Sequence, residues 1–260
     1  MLRALILAAG QGLRLRPLTD DKPKCLVPFL GKSLLERQVE TLKKLGVYDI
    51  NIVTGYRADK IESMEFSTSN NPQFAKTNMV ESLFSALPFV QKKGDLIISY
   101  GDIVYQSNNL QALLNCNDEI AVMIDIKWYD LWSLRLNNPL DDAETLKMNS
   151  NGYITELGKK PKSYEQIEGQ YTGLIKIRSN KIKALIAFYN QLDRSSIYDG
   201  KDFKNMYMTS FLQLLIDNGW KVKAVLVSNG WLEIDTLEDL VKYESLAKDR
   251  KLEQFYRLDK

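Results

Sequence analysis

The amino-terminal part of the chain constrains the fold more strongly than any other part. Residues 2–8 form an apolar run interrupted only by Arg3, which is typical of a strand buried on both faces of a sheet. Residues 33–36 have the Ser-x-x-Glu form of a capping box, and apolar side chains recur at helical spacing from there to Gly46. Residues 49–54 are predicted to form a second strand. Strand, loop, helix and strand in this order predict a βαβ unit, whose right-handed crossover makes the sheet parallel.

The rest of the chain first continues this pattern and then changes character. A helix at 78–87 and strands at 95–99 and 120–126 extend the parallel sheet. Shorter strand candidates bounded by Gly and Pro then suggest antiparallel pairing, and they lie at 145–148, 153–157 and 170–177. The last predicted elements are helices at 181–190 and 209–217, a strand at 221–227 and a terminal helix after Thr236. We predict an α/β fold: a doubly wound, mostly parallel, Rossmann-like sheet with a small antiparallel insertion on the substrate side.

The residue types that the chain lacks exclude several classes of function. The 260 residues contain no histidine and only two cysteines, Cys25 and Cys116, which lie far apart. Ser-His-Asp and Cys-His catalysis and histidine-based metal sites are therefore excluded, and no disulfide framework is indicated. A metal would need oxygen ligands, which favours Mg²⁺. We expect a protein of the reducing cytoplasm.

Charge and hydropathy exclude two kinds of partner. Lysine and arginine are scattered along the chain and the net charge is +2, so nucleic-acid binding is not indicated. No stretch approaches the roughly 20 apolar residues of a membrane span. The amino-terminal run leads into a loop rich in Gly and Arg rather than a signal-peptide cleavage site. The expected partner is a small molecule.

The loop after the first predicted strand has the composition of a polyphosphate cradle. Gly10 and Gly12 allow a tight turn that presents backbone N–H groups, and Arg14 and Lys24 supply cations. Open α/β sheets bind ligands at this edge, where parallel strands end. The dinucleotide fingerprint fails because Leu15 replaces its third glycine, and no P-loop motif occurs. A solvated turn with incidental arginines is the alternative.

A carboxylate is predicted at the same edge of the sheet. Asp102 follows the strand at 95–99 and Gly101. It would lie beside the phosphate loop, where a hard cation could bridge phosphate oxygens. An ordinary turn at the end of a strand is the alternative for Asp102.

Several motifs together resemble the GT-A-like nucleotidyltransferases, which make activated sugars and alcohols from nucleoside triphosphates. Leu-Ala-Ala-Gly-x-Gly-x-Arg-Leu-x-Pro-Leu-Thr, starting at Leu7 and followed by Lys22-Pro23-Lys24, is similar to the signature of that family. Four further segments resemble its small-alcohol cytidylyltransferase branch: 76–82, 99–102, 138–145 and 206–210. The resemblance covers nearly the whole chain. It implies Mg²⁺-dependent transfer of CMP from CTP to a small phosphorylated acceptor with release of pyrophosphate, for cell-surface polysaccharide or lipid decoration such as capsule biosynthesis.

The resemblance also implies an acceptor and a division of the chain. Phosphoglutamine is the first acceptor expected and phosphocholine is the alternative, with a homodimer as one option for the assembly. One domain is expected over residues 1–244, with a nucleotide-binding part at about 1–126 and an acceptor-binding part at about 127–230. Residues 245–260 are expected to form a charged helical tail.

By the same resemblance, Lys24 would stabilise the α-phosphate and Arg14 would hold the leaving pyrophosphate. Asp102 and Asp235 would hold the metal, and Glu233 could assist because it shares a face with Asp235 in an extended segment. A helix cap beside Thr236 is the alternative for Asp235. The nucleotide-binding residues implied are Leu7, Ala8, Ala9, Gly10, Gln11, Gly12, Arg14, Lys24, Gly55, Tyr56, Thr77, Asn78, Ser82 and Gly101.

Alternatives remain open for part of this set. Thr77, Asn78 and Ser82 fall where the family reads the base, but their spacing alone predicts only a helix cap. Gly55 and Tyr56 resemble backbone that lies along the base, and an ordinary strand-end turn is an equal alternative.

The sequence gives fewer signals for the residues that bind the acceptor. Asp125, Trp128 and Trp132 offer a carboxylate and aromatic faces for a cationic amine, although two aromatic residues four apart on a helix usually pack. The segment 156–160 resembles one that reaches the acceptor in related sugar enzymes, but Gly158-Lys159-Lys160-Pro161 departs from their Glu-Lys-Pro, which disfavours a hexose phosphate. The remaining candidates are Glu156, Lys159, Lys160, Tyr171 and Gly173, the last two on the strand that would floor the pocket.

Two other classes of function stay open. A glycosyltransferase on the same fold would normally show Asp-x-Asp, whereas Gly101-Asp102-Ile103-Val104 carries one carboxylate. A non-catalytic nucleotide-binding module would be expected to lose Lys24 or one of the metal carboxylates, and all are present.

Overall fold

A seven-stranded sheet forms the centre of the computed structural model, which describes residues 1–258. Its strands, in chain order, are β1 (Leu2–Leu7), β2 (Asp49–Thr54), β3 (Ser67–Asn70), β4 (Asp95–Tyr100), β5 (Ile120–Asp125), β6 (Gln170–Ile177) and β7 (Val222–Val227). In space they follow the order β7-β5-β6-β4-β1-β2-β3, and every pairing is parallel except the two made by β6. The predicted mostly parallel sheet is confirmed.

The strand β6 differs from its prediction. The expected antiparallel pairing is confirmed, but the strand belongs to the main sheet, where it lies between β4 and β5, rather than to the small insertion. It enters from a short hairpin rather than from a helical crossover, so the rule that makes crossover strands parallel does not apply to it. The hairpin pairs Leu146–Met148 with Ile154–Leu157 and is the antiparallel insertion itself.

Helices cover both faces of the sheet, as a doubly wound fold requires. They are α1 (Leu34–Lys44), α2 (Ala58–Glu62), α3 (Met79–Ser85), α4 (Leu87–Val90), α5 (Ser107–Asn115), α6 (Trp128–Arg135), α7 (Ser179–Gln191), α8 (Met208–Asp217) and α9 (Leu237–Lys248). The buried side chains of α1, α5, α6 and α9 belong to one hydrophobic cluster, and those of α3, α4, α7 and α8 belong to a second cluster. Alternating residues of β1 enter the two clusters, so the sheet separates them.

Local signals account for several helix ends. Capping boxes are present at Ser33 and Thr236, where α1 and α9 begin. The single helix predicted at 78–87 is divided at Ala86, and Pro88 lies in the first turn of the second piece, where a missing N–H does no harm.

Three further two-stranded ribbons lie outside the main sheet. They pair Pro28–Phe29 with Lys32–Ser33, Ile103–Tyr105 with Trp231–Glu233, and Ile197–Tyr198 with Lys201–Asp202. The second ribbon was not predicted and matters most for function. It brings the segment that ends at Asp235 to the carboxyl end of β4, where the Ile234 N–H donates to the Asp102 carbonyl at 3.0 Å.

The carboxyl-terminal segment, expected as a charged helical tail after residue 244, packs against the rest of the chain. Residue 244 lies inside α9, and three side chains beyond that helix, Leu252, Phe255 and Tyr256, are buried in the same cluster as α1. The segment is therefore part of the domain core. The last two residues of the predicted tail, 259 and 260, lie outside the described residues. Within residues 1–258, each helix is too short or too polar to cross a bilayer.

Candidate active site

The topology places a crevice at one point of the sheet edge. The chain runs from β1 outward to β2 and β3, and it then returns to the other side of β1 as β4. The loops after β1 and β4 therefore diverge, and such a switch point is where open α/β sheets bind ligands. Two adjoining cavities open there, and Asn78 and Met79 line both.

The first cavity is formed mainly by residues that the sequence predicted to bind a nucleotide. Nine of them line it: Leu7, Ala8, Ala9, Gly10, Lys24, Thr77, Asn78, Ser82 and Gly101. Asp102 lines it as well, together with three residues that were not predicted: Cys25, Phe74 and Met79. We call this space the nucleotide cavity.

Two glycines behind the cavity allow close approach of the backbone. A Cβ atom on Gly101 would lie 2.7 Å from the Leu7 carbonyl oxygen, and one on Gly55 would lie 2.7 Å from the Ala9 carbonyl oxygen. Tyr56 donates its N–H to the Ala9 carbonyl at 3.0 Å and its hydroxyl to the Asp20 carbonyl at 2.6 Å. Gly55 and Tyr56 therefore brace the phosphate loop from outside and are not among the residues that line the cavity.

The rest of the phosphate loop also lies outside the cavity wall. Gln11, Gly12 and Arg14 do not line it. Gly12 has φ 73°, and a Cβ there would lie 2.8 Å from the Lys24 Cβ. A glycine at this position therefore leaves the space that the Lys24 side chain occupies. Arg14 forms an ion pair with Asp235 while its side chain stays 65% exposed, which leaves it able to reach a ligand.

A buried ionic cluster lies at the mouth of the nucleotide cavity. Lys24 Nζ donates to Asp102 Oδ2 at 2.6 Å and to Asp235 Oδ1 at 2.7 Å. Burial lowers the pKa of Lys24, but the attraction of Asp102 and Asp235 outweighs burial and holds that pKa well above its usual value. Lys24 is therefore a permanent cation, placed where two elements far apart in the chain meet.

The two aspartates have the chemistry of a divalent-cation site. Asp102 Oδ1 is buried and has no hydrogen-bond partner. Carboxylate oxygens that converge on one point suit Mg²⁺, which is commonly held by one or two protein carboxylates together with substrate phosphates. The residues present thus fit a magnesium ion with two protein ligands.

Glu233 does not join them as a third ligand. Its Oε2 accepts from Arg135 Nη1 at 2.8 Å, and the same guanidinium binds Asp239 at 3.0 Å. Burial raises the pKa of Glu233, Arg135 opposes the shift, and Asp102 and Asp235 add to it. Within residues 1–258 no three acidic or cysteine side chains are spaced to hold an ion. The prediction that Glu233 assists the metal is therefore corrected, because Arg135 engages its carboxylate.

A buried amide that the sequence did not single out supports the predicted base-reading residues. Asn71 Nδ2 donates to Thr77 Oγ1 at 2.9 Å and to Ser82 Oγ at 3.0 Å. Asn71 is 2% exposed, and its Oδ1 accepts from the Gln73 N–H. Asn78 caps α3, since its Oδ1 accepts from the Met79 N–H at 2.8 Å, and a helix cap was the alternative given for this residue. It also lines both cavities. No motif marked Asn71, which follows an edge strand and stands among other polar residues.

The second cavity has a volume of about 360 Å³ and an acidic, aromatic wall. Of the predicted acceptor residues, Trp132, Tyr171 and Gly173 line it. Most of the others come from the two segments at 138–145 and 206–210 and from the strands β4 and β6: Tyr100, Asp142, Glu144, Gln170, Thr172, Tyr207, Met208 and Thr209. We call this space the acceptor cavity.

Asp125 and Trp128 do not reach the acceptor cavity, and their prediction is corrected. Asp125 is fully buried, its Oδ2 accepts from Trp231 Nε1 at 2.9 Å, and its Oδ1 accepts from the Lys127 and Asn229 N–H groups. It fastens the end of β5 to the chain before Trp231. Trp128 is 5% exposed and packs edge-on against Trp132 with ring centroids 6.0 Å apart.

The three residues predicted from the sugar enzymes also lie away from both cavities. Glu156 pairs with Lys159 at 3.3 Å. Lys160 Nζ donates to the Leu140 and Asp141 carbonyls, both at 2.6 Å. Lys160 therefore fastens the loop that carries Asp142 rather than reaching an acceptor phosphate, and the prediction for these three residues is corrected.

Comparisons with known proteins agree with this geometry. Residues 4–129 match the family model of the MobA-like NTP transferase domain. Over 248 residues the chain is 47% identical to CTP:phosphoglutamine cytidylyltransferase of Campylobacter jejuni, an alignment that covers 92% of this chain and 98% of that protein. A stretch of 64 residues is 45% identical to choline-phosphate cytidylyltransferase of Streptococcus pneumoniae, which covers 25% of this chain and 28% of that protein.

Solved structures share the fold. A CTP:phosphocholine cytidylyltransferase from Streptococcus pneumoniae superposes with a TM-score of 0.71 at 20% identity, covering 95% of this chain and 99% of that one. The inositol-1-phosphate CTP transferase of T. maritima superposes with a TM-score of 0.73 at 22% identity, covering 98% of both chains. The solved structures share the fold, and the 47% identity over nearly the whole chain shows that this protein belongs to the nucleotidyltransferase family that includes CTP:phosphoglutamine cytidylyltransferase.

Proposed function

We propose that this protein transfers CMP from CTP to phosphoglutamine and releases pyrophosphate. The observation that carries the proposal is the position of Lys24, Asp102 and Asp235, at the mouth of a nucleotide cavity that adjoins a second, acceptor-sized cavity. The 47% identity to the Campylobacter jejuni enzyme supports the choice of acceptor. Phosphocholine is the second candidate acceptor because a shorter region resembles choline-phosphate cytidylyltransferase.

The chain's residues suit an in-line displacement at the α-phosphorus. An oxygen of the acceptor phosphate would form the new bond to the α-phosphorus while the bond to the bridging oxygen breaks, and that oxygen leaves with pyrophosphate. A phosphate with a second pKa near 6 is largely dianionic at neutral pH, so no general base is needed. A chain without histidine is consistent with such a reaction.

Positioning and charge would then supply the catalysis. The backbone at 8–10 would lie along the nucleotide, and Thr77 and Ser82, oriented by Asn71, would meet the base edge. Lys24 would stabilise the charge that builds up at the α-phosphate, and the exposed Arg14 would hold the departing pyrophosphate. Mg²⁺ held by Asp102 and Asp235 would neutralise charge on the phosphates.

The wall of the acceptor cavity favours a small amine-bearing acceptor over a hexose phosphate. It combines the rings of Tyr100, Trp132 and Tyr171 with the carboxylates of Asp142 and Glu144. Aromatic faces and carboxylates attract a cation. The departure of Gly158-Lys159-Lys160-Pro161 from the Glu-Lys-Pro of the related sugar enzymes weighs against a hexose phosphate.

We place the reaction in the cytoplasm, where CTP would be available, and the product in cell-surface polysaccharide or lipid decoration such as capsule biosynthesis. Both cysteines are free thiols, which agrees with a reducing compartment. A homodimer is one option for the assembly, and light scattering of the purified protein measures it.

A pyrophosphate-release screen tests the proposed function. Four nucleoside triphosphates are combined with phosphoglutamine, phosphocholine, phosphoethanolamine, glycerol phosphates and sugar 1-phosphates. We expect CTP with phosphoglutamine to give the highest kcat/KM, phosphocholine to be second and glucose 1-phosphate to be inert. Turnover of phosphocholine or a sugar 1-phosphate at least tenfold more efficient than that of phosphoglutamine would contradict the acceptor. If no pair of substrates releases pyrophosphate, cytidylyl transfer is contradicted. The glycosyltransferase and the non-catalytic binding module are then the remaining functions to test.

A further inference from the structure

Glu144, which lines the acceptor cavity, is held in place by two hydrogen bonds of its backbone. The Glu144 N–H donates to Gln170 Oε1 at 3.0 Å, and Gln170 Nε2 donates back to the Glu144 carbonyl at 2.6 Å. Gln170 is 4% exposed and is the first residue of β6. A buried amide thus clamps Glu144 at two points and fixes where its side chain begins.

The carboxylate end of the same residue is almost unsatisfied. Its Oε1 accepts one long hydrogen bond, 3.4 Å from Thr209 Oγ1. In the described part of the chain no lysine or arginine pairs with it, and the charged groups that act on it are the acidic Asp142, Glu233 and Asp199. Burial raises the pKa of Glu144 to about 7, Thr209 opposes the shift, and Asp142 adds to it. A half-buried carboxylate is costly without a cationic partner, so a cation from outside the chain would be stabilised beside it.

The surrounding wall suits a cation. Tyr100 and Tyr171 meet edge to face with ring centroids 5.5 Å apart, and both line the cavity with Trp132. Aromatic faces attract ammonium groups and do so more strongly where water is excluded.

The other two acids of the cavity are less suited to this role. The Glu233 carboxylate binds Arg135, and Asp142 is exposed at the rim. We therefore propose that Glu144 selects the acceptor by charge, binding the ammonium group of the phosphorylated substrate, with Gln170 as its positioning residue. The inference rests on the proposed function and names the substrate class: phosphomonoesters or phosphoramidates that carry an ammonium group.

A matched pair of ligands isolates this interaction. Phosphoglutamine carries an α-ammonium group, and its α-N-acetyl derivative has the same skeleton without the positive charge. Glu144→Gln keeps the shape of the side chain and the contact with Thr209 but removes the carboxylate. Glu165→Gln, an exposed glutamate outside both cavities, is the control variant.

We expect the unmodified protein to prefer phosphoglutamine over its acetyl derivative at least tenfold in KM. Glu144→Gln should raise KM for phosphoglutamine by about 10- to 100-fold, the size expected for one charge-assisted hydrogen bond. The KM for CTP, kcat at saturation and KM for the acetyl derivative should stay within about twofold, and Glu165→Gln should behave like the unmodified protein. Equal changes for both ligands, or no change, would overturn the inference.

Two further measurements keep the inference separate from the proposed function. Glu144→Asp retains the charge, so it should keep the preference for phosphoglutamine with an intermediate KM, and loss of that preference would count against the assignment. If the unmodified protein transfers CMP to no acceptor, the proposed function fails, and calorimetry with phosphoethanolamine and glycerol phosphate decides the inference. A preference of at least tenfold for phosphoethanolamine that Glu144→Gln abolishes would support it, whereas equal binding or no binding would overturn it.

Discussion

At the scale of single residues, charged side chains were predicted well where a motif marked them and poorly where only their type suggested a role. Lys24, Asp102 and Asp235 were predicted in one site, and the structure brings them together, although Lys24 and Asp235 are 211 positions apart. Asp125 was predicted to bind the acceptor because its carboxylate, close in the sequence to Trp128 and Trp132, would suit a cationic amine. Its partner Trp231 is 106 positions away, so the sequence could not show that the carboxylate is already satisfied.

Lys24→Ala tests the central cation. We expect the variant to bind nucleotide but to lose at least about 100-fold in turnover, because a cation aimed at the α-phosphate acts mainly in the transition state. Steady-state pyrophosphate release and nucleotide binding by calorimetry measure the two effects. Lys22→Ala is the control, since Lys22 contacts Asp21 instead of the cluster. Turnover near that of the unmodified protein would remove Lys24 from the mechanism.

Asp102→Asn and Asp235→Asn test the metal site separately. Each should abolish Mg²⁺-dependent activity and weaken Mn²⁺ binding, measured by electron paramagnetic resonance, because two carboxylates are the protein ligands we propose. Each should melt within a few degrees of the unmodified protein, since Lys24 keeps the other aspartate as its partner. Unfolded variants would instead show that the aspartates serve stability.

The pH dependence of Glu144 gives a further residue-scale prediction. With a pKa of about 7, its carboxylate becomes charged as pH rises from 6 to 8, so KM for phosphocholine, whose quaternary ammonium does not titrate, should fall over that window. Glu144→Gln should lose this part of the pH dependence and retain only that of the substrate phosphate. Because the pKa of Glu144 is raised from 4.5 to about 7, the protein loses stability as pH rises between these two values. The full cost is present at pH 8, where thermal melting should favour Glu144→Gln. Identical pH profiles for the two proteins would contradict the assignment.

At the scale of elements, the sequence predicted what is encoded locally. Both capping boxes were visible because cap and partner are three residues apart. The insertion of β6 between β4 and β5 was not visible, since strand neighbours are set by tertiary packing. The ribbon of Ile103–Tyr105 with Trp231–Glu233 escaped prediction for the same reason, although it assembles the site.

The segment from Asn71 to Asn78 acts as one unit and can be tested as such. Asn71→Leu removes the amide that holds Thr77 and Ser82, so KM for CTP should rise about tenfold and discrimination against UTP should fall, while KM for the acceptor stays unchanged. The initial rates of pyrophosphate release with each nucleotide measure this. Asn70→Ala, at an exposed neighbouring position of β3, is the control. Parallel losses for CTP and for the acceptor would indicate a general structural role.

At the scale of the whole molecule, the fold class followed from the βαβ pattern, and the position of the site followed from the fold class. Parallel strands end at one edge, so the loops after β1 and β4, which diverge at that edge, had to frame the crevice there. The expected tail is charged in composition, and its three apolar residues Leu252, Phe255 and Tyr256 are buried in the core.

Truncation tests that packing. Removing residues 251–260 should lower the melting temperature by at least about 5 °C or prevent folding, because three buried apolar side chains are lost and burial contributes about 1.5–3 kcal/mol for each large one. Removing only residues 257–260 should leave the melting temperature unchanged. A stable, active protein lacking 251–260 would restore the picture of an independent tail.

The most direct test of the whole account is the mass and stoichiometry of the product formed from CTP and phosphoglutamine. The account predicts one pyrophosphate released for each molecule of a CMP–phosphoglutamine adduct, identified by mass spectrometry, and no adduct with Lys24→Ala over the same time. Free CMP as the sole nucleotide product, or a CMP adduct formed only with a sugar 1-phosphate, would contradict it.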